Sequence, residues 1–132
     1  MPTYGFDPTW TGERDRMVLA ESLLDPVTIR QLESIGMRPG MRCLEVGAGA
    51  GSMARWLAGR AGPEGHVLAT DIDSRFLDAG AGYEVRHHDI VAGPPLPAEF
   101  DLAHARLVLQ HVPDKDRALA NLAGSLVPGG WL

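Results

Sequence analysis

Apolar positions at the start of the chain follow a helical period that is interrupted once. Their spacing predicts a helix over residues 14–24, and Asp25-Pro26, a capping residue followed by proline, predicts a second helix ending near Gly36. The first residues, 1–13, show neither a helical nor an alternating period. We therefore expect an irregular arm followed by two helices.

Further along the chain, short apolar runs alternate with helical patterns. The predicted strands cover residues 43–46, 66–70, 83–89 and 100–109, with a fifth beginning in the final residues. The predicted helices cover residues 52–61, a short stretch within 71–80 capped by Asp73 or Ser74, and 113–126. This alternation predicts a Rossmann-like α/β fold, a doubly wound and mainly parallel sheet with helices on both faces.

Two regions follow from this pattern. Residues 1–37 form an N-terminal arm with helices, a candidate lid, and residues 38–132 form the Rossmann-like domain. The sheet breaks off soon after the start of strand five, and strands four and five would then present an open apolar edge. A truncated chain, a natural half-protein completed by a second chain, and swapping between copies all account for such an edge.

Composition narrows the classes of function. The 132 residues carry 12 basic and 17 acidic side chains, a net charge of -5, which argues against binding to nucleic acid. The chain has neither an apolar run long enough to cross a membrane nor the pattern of a signal peptide at its start. Its one cysteine, Cys43, excludes an intrachain disulfide and fits a reducing cytoplasm.

The glycine-rich segment after the first strand is the main candidate for a ligand site. Gly47, Gly49 and Gly51 allow positive φ and a close approach of a ligand to the backbone. In doubly wound sheets ligands bind beyond the carboxyl ends of the strands, where this turn lies. The second strand ends in Asp71, and an acid in that position can accept both hydroxyls of a ribose.

Two cofactor classes share this geometry, and one residue distinguishes them. Dinucleotides place a pyrophosphate at the helix N-terminus and usually require the spacing G-x-G-x-x-G, whereas this chain has G-x-G-x-G. Glu45, two residues before Gly47, would repel a diphosphate and attract a cation. S-adenosylmethionine, with its ammonium and sulfonium groups, is therefore favoured over NAD.

Five segments in order resemble a known family. The stretches CLEVGAGAGSMARWLA, VLATDID, HHDI, FDLAHARLVLQHV and LVPGGWL resemble successive motifs of class I S-adenosylmethionine-dependent methyltransferases, in particular the branch that acts on small molecules. The resemblance runs from about Arg38 to the last residue. It implies a fold of seven strands in the complete family, so that this chain resembles the cofactor-binding part.

The resemblance also implies roles for individual residues. The methionine end of the cofactor would be held by Glu45, Gly47, Ala48, Gly49 and Gly51. The ribose and adenine would be held by Asp71, Ile72, Asp89 and Ile90. The sulfonium would lie near His104, Ala105 and Arg106.

Histidines supply the candidate catalytic groups, because a base is needed only where the methyl acceptor must lose a proton. His111, just beyond the fourth strand, is the first candidate and His104 the second, although each fits an ordinary capping or packing role. The pair His87-His88 points to opposite faces of a strand, so we expect no metal site.

Three further residue groups have a structural and a functional interpretation. Cys43 is expected to be a small buried side chain rather than a nucleophile. Tyr4, Trp10 and Arg14 could close over the cofactor or belong to a mobile arm. Arg106 fits a solvated charge at a strand end or a contact to a substrate carboxylate.

The sequence thus predicts transfer of a methyl group from S-adenosylmethionine to O, N or C of a small molecule. The acidic charge and the lack of an Asn/Asp-Pro-Pro-aromatic motif disfavour nucleobases. A second hypothesis is a non-catalytic cofactor-binding subunit or half-enzyme that needs a partner chain or another copy against its open edge. A third is an NAD-dependent oxidoreductase, which Glu45 and the glycine spacing disfavour.

Overall fold

The computed structural model describes residues 12–132, in which one long helix precedes a five-stranded sheet. The strands are β1 (Arg42–Val46), β2 (His66–Asp71), β3 (Glu84–His87), β4 (Phe100–Ala105) and β5 (Leu126–Trp131). The α-helices are α1 (Glu13–Ser34), α2 (Ser52–Ala61) and α3 (Lys115–Gly124). Single turns of 3-10 helix lie at Ser74–Phe76 and Leu109–His111.

The sheet is parallel throughout and has the order β3-β2-β1-β4-β5. This confirms the predicted Rossmann-like α/β fold. β1 is central, with Leu44 level with Leu68 on one side and with Ala103 on the other. The strand order reverses between β1 and β4, and a crevice forms at such a point beyond the carboxyl ends of the strands.

Two apolar layers hold the sheet between its helices. On one face α2 buries Met53, Ala54 and Leu57 against β1 and β2, and α1 adds Leu32. On the other face α3 packs through Ala118 and Leu122, against a cluster that includes Leu44, Leu68 and Phe100. Each fully buried leucine or phenylalanine contributes about 1.5–3 kcal/mol, so these layers fix the strand ends that carry the site.

The N-terminal region differs from its prediction, because one helix replaces two. α1 runs without a break through Pro26, and the Asp25 side chain does not cap a second helix. Its carboxylate instead accepts a hydrogen bond from Arg106 Nη2 at 2.8 Å, and Arg106 Nη1 donates to Thr28 Oγ1 at 3.0 Å. These tertiary contacts on both sides of Pro26 offset the backbone hydrogen bond that proline removes.

The prediction for β4 is too long. The strand ends at Ala105, Leu107 adopts a left-handed φ of 59°, and one turn of 3-10 helix follows. This bend carries Val108 against Gly47, where a Cβ atom would collide with the Val108 side chain. The apolar residues 107–109 therefore lie outside the sheet, and Val108 among them packs against the glycine turn.

The remaining boundaries agree more closely. The glycine-flanked helix 52–61 is α2 as predicted, and Asp114 caps α3 by accepting from Arg117 N at 3.0 Å. β3 is shorter than predicted, and the helix expected within 71–80 is a single 3-10 turn capped by Asp73.

β5 covers β4 and becomes an edge of the sheet itself. It is paired at Phe100 with Leu126 and at Leu102 with Trp131, with an irregularity between them. The prediction that β4 shares the open edge is therefore wrong, although Trp131 and Leu132 are both more than half exposed beside it. None of the helices in residues 12–132 is long and apolar enough to cross a membrane.

The continuous helix makes a prediction for Pro26. Replacing it in Pro26→Ala restores a main-chain hydrogen bond inside α1, so the free energy of unfolding should rise by about 1–2 kcal/mol after allowance for the looser unfolded chain. Urea unfolding followed by circular dichroism measures this change.

Pro39→Ala is the matched control, because Pro39 lies in an exposed turn outside any helix. We expect it to lower stability slightly, by about 0.4–1 kcal/mol. If Pro26→Ala left stability unchanged or lowered it as Pro39→Ala does, Pro26 would be acting as the first residue of a second helix and the single-helix description would fail.

Candidate functional site

The glycine turn joins the end of β1 to the start of α2 at the point where the strand order reverses. Gly47, Gly49 and Gly51 have φ values of 67°, 60° and 91°, all in the left-handed region. Ala48 N donates to the Thr70 carbonyl at 3.0 Å, which ties the turn to β2. The sequence prediction that these glycines adopt positive φ is thus confirmed.

The three glycines have different surroundings. A Cβ atom on Gly47 would collide with Val108, and one on Gly51 would crowd the Tyr83 hydroxyl. Among residues 12–132, a Cβ atom on Gly49 would meet only the Met17 sulfur, at 3.8 Å. Gly47 and Gly51 therefore permit close packing of the protein, whereas a side chain at Gly49 would have room beside Met17.

Asp71 connects the end of β2 to the same turn. Its Oδ2 accepts from Gly49 N at 2.9 Å, and its Oδ1 accepts from Asp73 N at 3.0 Å. Burial raises the pKa of this carboxyl, and the two N–H donors oppose that rise. Each oxygen keeps a second lone pair, so the carboxylate can accept further hydrogen bonds from hydroxyl groups.

Glu45 and His104 form a buried pair across β1 and β4. The two residues are level in the parallel register, so their side chains emerge side by side. His104 Nδ1 lies 2.8 and 2.9 Å from the two carboxylate oxygens of Glu45. The His104 side chain is only 16% exposed and that of Glu45 only 4%, so this hydrogen bond is largely shielded from water.

The pair sets the protonation of the imidazole. Burial lowers the pKa of His104, but the hydrogen bond and charge of Glu45 outweigh burial and raise that pKa above its ordinary value. In the neutral ring, the proton is held on Nδ1 by Glu45, and the lone pair is left on Nε2. His104 is thereby oriented as a proton acceptor.

Arg106 contacts α1 rather than solvent. Its guanidinium reaches Asp25 and Thr28, and the Arg106 and Asp25 side chains are each 20% exposed. The interpretation as a solvated strand-end charge is therefore wrong. The arginine holds the middle of α1 over the end of β4.

Two contacts that sequence reasoning missed come from the first half of α1. Glu21 Oε2 accepts from Ser52 N, the first backbone N–H of α2, at 2.9 Å, and Met17 lies over Gly49. Met17, Glu21, Asp25 and Thr28 recur every three or four residues, which places them on one helical face. That spacing was visible in the sequence, but the predicted break at Asp25 divided the face in two.

The residues expected around the adenine differ in how far their side chains are exposed. Ile72 is 44% exposed beside Asp71. Asp89 Oδ1 accepts from Val91 N and Ala92 N, at 2.8 and 3.1 Å, within its own loop. The Ile90 side chain is buried in the apolar layer against α3 rather than presented to the crevice.

The remaining predicted residues lie on either side of the bend after β4. Ala105 is level with Val46 at the carboxyl end of the sheet. His111 ends the 3-10 turn and is half-buried, with its N–H donating to the Val108 carbonyl. The structure therefore brings His104 against Glu45 and places His111 on the adjoining turn.

Other sequence hypotheses concern residues outside this site. Cys43 is fully buried, as expected, and burial is the main reason that its pKa rises to about 12. His88 Nε2 contacts the Pro94 carbonyl at 2.7 Å, and residues 12–132 contain no cluster of three metal-ligating side chains. Of the proposed lid residues, Arg14 is exposed on α1, and Tyr4 and Trp10 lie outside the described residues.

Similar proteins share both the sequence and the fold. A curated relative, the ubiquinone/menaquinone biosynthesis C-methyltransferase of Laribacter hongkongensis, is 36% identical over 109 residues, covering 76% of this chain and 45% of that protein. A putative S-adenosylmethionine-dependent methyltransferase of Methanococcus maripaludis shares the fold, with a TM-score of 0.74 at 16% identity, over 96% of this chain and 65% of that one. The chain thus spans less than half the length of its curated relative.

A third relative has been solved with a ligand. Phosphoethanolamine N-methyltransferase 2 of Haemonchus contortus, in complex with S-adenosyl-L-methionine, has a TM-score of 0.64 and 27% identity, covering 75% of this chain and 25% of that one. The family model described as a methyltransferase domain matches residues 44–132, from β1 through β5. The chain therefore belongs to the methyltransferase-domain family, within the class I S-adenosylmethionine-dependent methyltransferases.

Proposed function

We propose that this chain binds S-adenosylmethionine between the glycine turn and α1 and takes part in methyl transfer to O, N or C of a small-molecule acceptor. The observation that carries the proposal is the pair of carboxylates at the glycine turn, the buried Glu45 and the half-buried Asp71, which accepts from Gly49 N. The relatives named above act on carbon in one case and nitrogen in another.

The site fits this cofactor by its chemistry. Asp71 offers lone pairs to the two ribose hydroxyls while the glycine-turn N–H holds it in place. Glu45 supplies negative charge where the cofactor carries positive charge, and the exposed side chain of Ile72 offers an apolar surface to adenine. Asp89, whose Oδ1 is engaged in its own loop, is proposed as the acceptor for the adenine amino group through Oδ2.

Ile90 and Arg106 support the site without contacting the cofactor directly. Ile90 supports the loop from within the core, and Asn121 Nδ2 donates to its carbonyl at 2.6 Å. Arg106 acts by holding α1 against the site, and Ala105 leaves room at the end of β4. The backbone of Gly47, Ala48, Gly49 and Gly51 would line the methionine end.

The cofactor, when bound, supplies an electrophilic methyl group on a sulfonium that is also a good leaving group. The protein's part is to align an acceptor with that methyl group, which contributes up to about 7–11 kcal/mol in well-oriented reactions. Where the acceptor carries a hydroxyl or ammonium, His104 Nε2 would accept its proton while Glu45 retains the Nδ1–H bond. His111 is the second candidate for the base.

The same charges disfavour an NAD-dependent oxidoreductase. A pyrophosphate at the start of α2 would meet the carboxylates of Glu45 and Glu21 at the two ends of the glycine turn. Isothermal titration tests the choice directly: we expect binding of S-adenosylhomocysteine and none of NADH. Binding of NADH alone would overturn the proposal.

The exposed edge supports a partner against β5. Trp131 and Leu132, at the end of the irregularly paired edge strand β5, remain 51% and 55% exposed, and proteins normally cover such a surface. We propose that a second chain or another copy of this chain covers this surface. We also propose that the protein works in the cytoplasm, because the free thiol of Cys43 fits a reducing compartment. Light scattering and assays for methyl transfer would distinguish a complete enzyme from a cofactor-binding module that needs a partner.

Asp71 provides the first test of the site residues. Asp71→Ala should weaken binding of S-adenosylhomocysteine by about 1.5–3 kcal/mol, because it removes the charged acceptor of the ribose hydroxyls. Asp71→Asn keeps one acceptor oxygen and should weaken binding less. Titration calorimetry measures both variants.

Asp116→Asn, an exposed change on α3, is the control and should bind like the wild type. Thermal unfolding shows whether loss of the Gly49 and Asp73 bonds has loosened the turn. Unchanged affinity in a folded Asp71→Ala protein would remove the ribose assignment.

The Glu45–His104 pair makes a prediction about pH. Because the folded-state pKa of His104 is raised, the pair stabilises the fold fully below the ordinary pKa of 6.5 and loses that contribution as pH rises through the folded-state value. The difference in unfolding free energy between wild type and His104→Gln should therefore shrink as the pH rises above the ordinary pKa of 6.5. Any methyl transfer that uses His104 as base should speed up over the same rise.

His66→Gln is the matched control, since His66 and Glu84 form a similar 2.9 Å pair that is exposed at the opposite end of β2. Its effect should be small at every pH, as for other surface pairs. A difference for His104→Gln that grew with pH would show that the imidazole is neutral in the folded state at low pH and would contradict the assigned protonation.

A further inference from the structure

We propose that Glu21 of α1 determines the charge preference of the cofactor site. Its carboxylate occupies the start of α2 and makes the glycine turn selective for a cationic cofactor and against anions such as pyrophosphate. The inference rests on the proposed function, because it takes the glycine turn as the place where the cofactor lies.

The contact joins two distant parts of the chain. Glu21 Oε2 accepts from Ser52 N at 2.9 Å across 31 residues of sequence, and the bond is partly buried. α2 itself supplies no such group, since its capping residue is Gly51, which has no side chain, and its first turn holds no acid. Helix N-termini carry a partial positive charge that attracts anions, so Glu21 supplies a negative charge that α2 itself does not provide.

The position of Glu21 is held from both sides. One turn before it, the Met17 sulfur lies 3.8 Å from the position of a Gly49 Cβ atom. One turn after it, Asp25 is paired with Arg106 at 2.8 Å, and Thr28 also accepts from that arginine. The carboxylate is therefore placed by the docking of α1 and does not depend on its own hydrogen bond alone.

This placement has a consequence for ligands. A glycine turn followed by a helix N-terminus is the usual binding position for phosphate groups. In this chain the position already holds a carboxylate, with Glu45 at the other end of the turn. The Ser52 hydroxyl beside it is buried and makes no hydrogen bond among the described residues, so an unpaired polar group lies at this end of the turn.

The experiment compares Glu21→Gln and Glu21→Ala with the wild type in the full chain. Glu21→Gln keeps the size and one acceptor oxygen and removes only the charge, whereas Glu21→Ala opens the position. Isothermal titration is carried out with S-adenosylmethionine, S-adenosylhomocysteine and inorganic pyrophosphate. Thermal unfolding of each variant reports any loss of stability.

We expect both variants to bind S-adenosylmethionine about tenfold more weakly, the scale of a lost interaction with a charged group. The loss should be smaller for S-adenosylhomocysteine, which has no sulfonium charge. Pyrophosphate should bind to both variants but not to the wild type, and added salt should weaken that binding.

Glu33→Gln is the matched control. Glu33 lies on the same helix, carries the same charge and pairs with Arg60 at 3.8 Å in an exposed position away from the turn. It should bind all three ligands like the wild type, which would exclude a general effect of net charge.

Two outcomes would overturn the inference. Wild-type affinities in both Glu21 variants, with no pyrophosphate binding, would make Glu21 a helix cap alone. An equal loss for both adenosyl ligands without a gain of pyrophosphate would do the same. A wild type that binds neither adenosyl ligand would contradict the proposed function, and the pyrophosphate titrations would still decide the role of Glu21.

Discussion

The connection between β1 and α2 is the constraint on which the rest of the structure depends. At this point the backbone must turn sharply beside Val108 and Tyr83, and glycine at positions 47 and 51 tolerates both the close approach and the positive φ. Asp71 then holds the middle of the turn, because its carboxylate accepts a hydrogen bond from Gly49 N–H. The turn thereby ties the end of β2 to the start of α2.

The charge of the site follows from the same packing. Burying a carboxylate is costly unless it gains a partner, and each acid near the turn has one. His104 pairs with Glu45, backbone N–H groups hold Asp71, and the start of α2 holds Glu21. The glycine turn is therefore flanked by three carboxylates, and each is held in place by a hydrogen-bond donor.

Sequence patterns predicted the sheet well and the N-terminal region poorly. The strands β1 and β2 and the helix α2 are short, local and strongly patterned, so their positions could be derived from residue types alone. Asp25-Pro26 carries the local signature of a helix start, but the Asp25 side chain does not cap a helix. It pairs instead with Arg106, which lies 81 residues away in sequence. The predicted role of Ile90 beside adenine had no local test, and the structure buries its side chain against α3.

By itself, the sequence determined the fold class, the glycine turn and the acids that begin and flank it, because these depend on period, backbone freedom and order along the chain. Tertiary structure alone decided which of those groups meet. Glu45 is hydrogen-bonded to His104, 59 residues away in sequence, and Glu21 to Ser52, 31 residues away. These hydrogen bonds form only when the parallel register of the sheet and the docking of α1 are in place. Hydrogen bonds and charge pairs act over a few ångströms in space, and the separation of two residues along the chain does not indicate whether they lie that close.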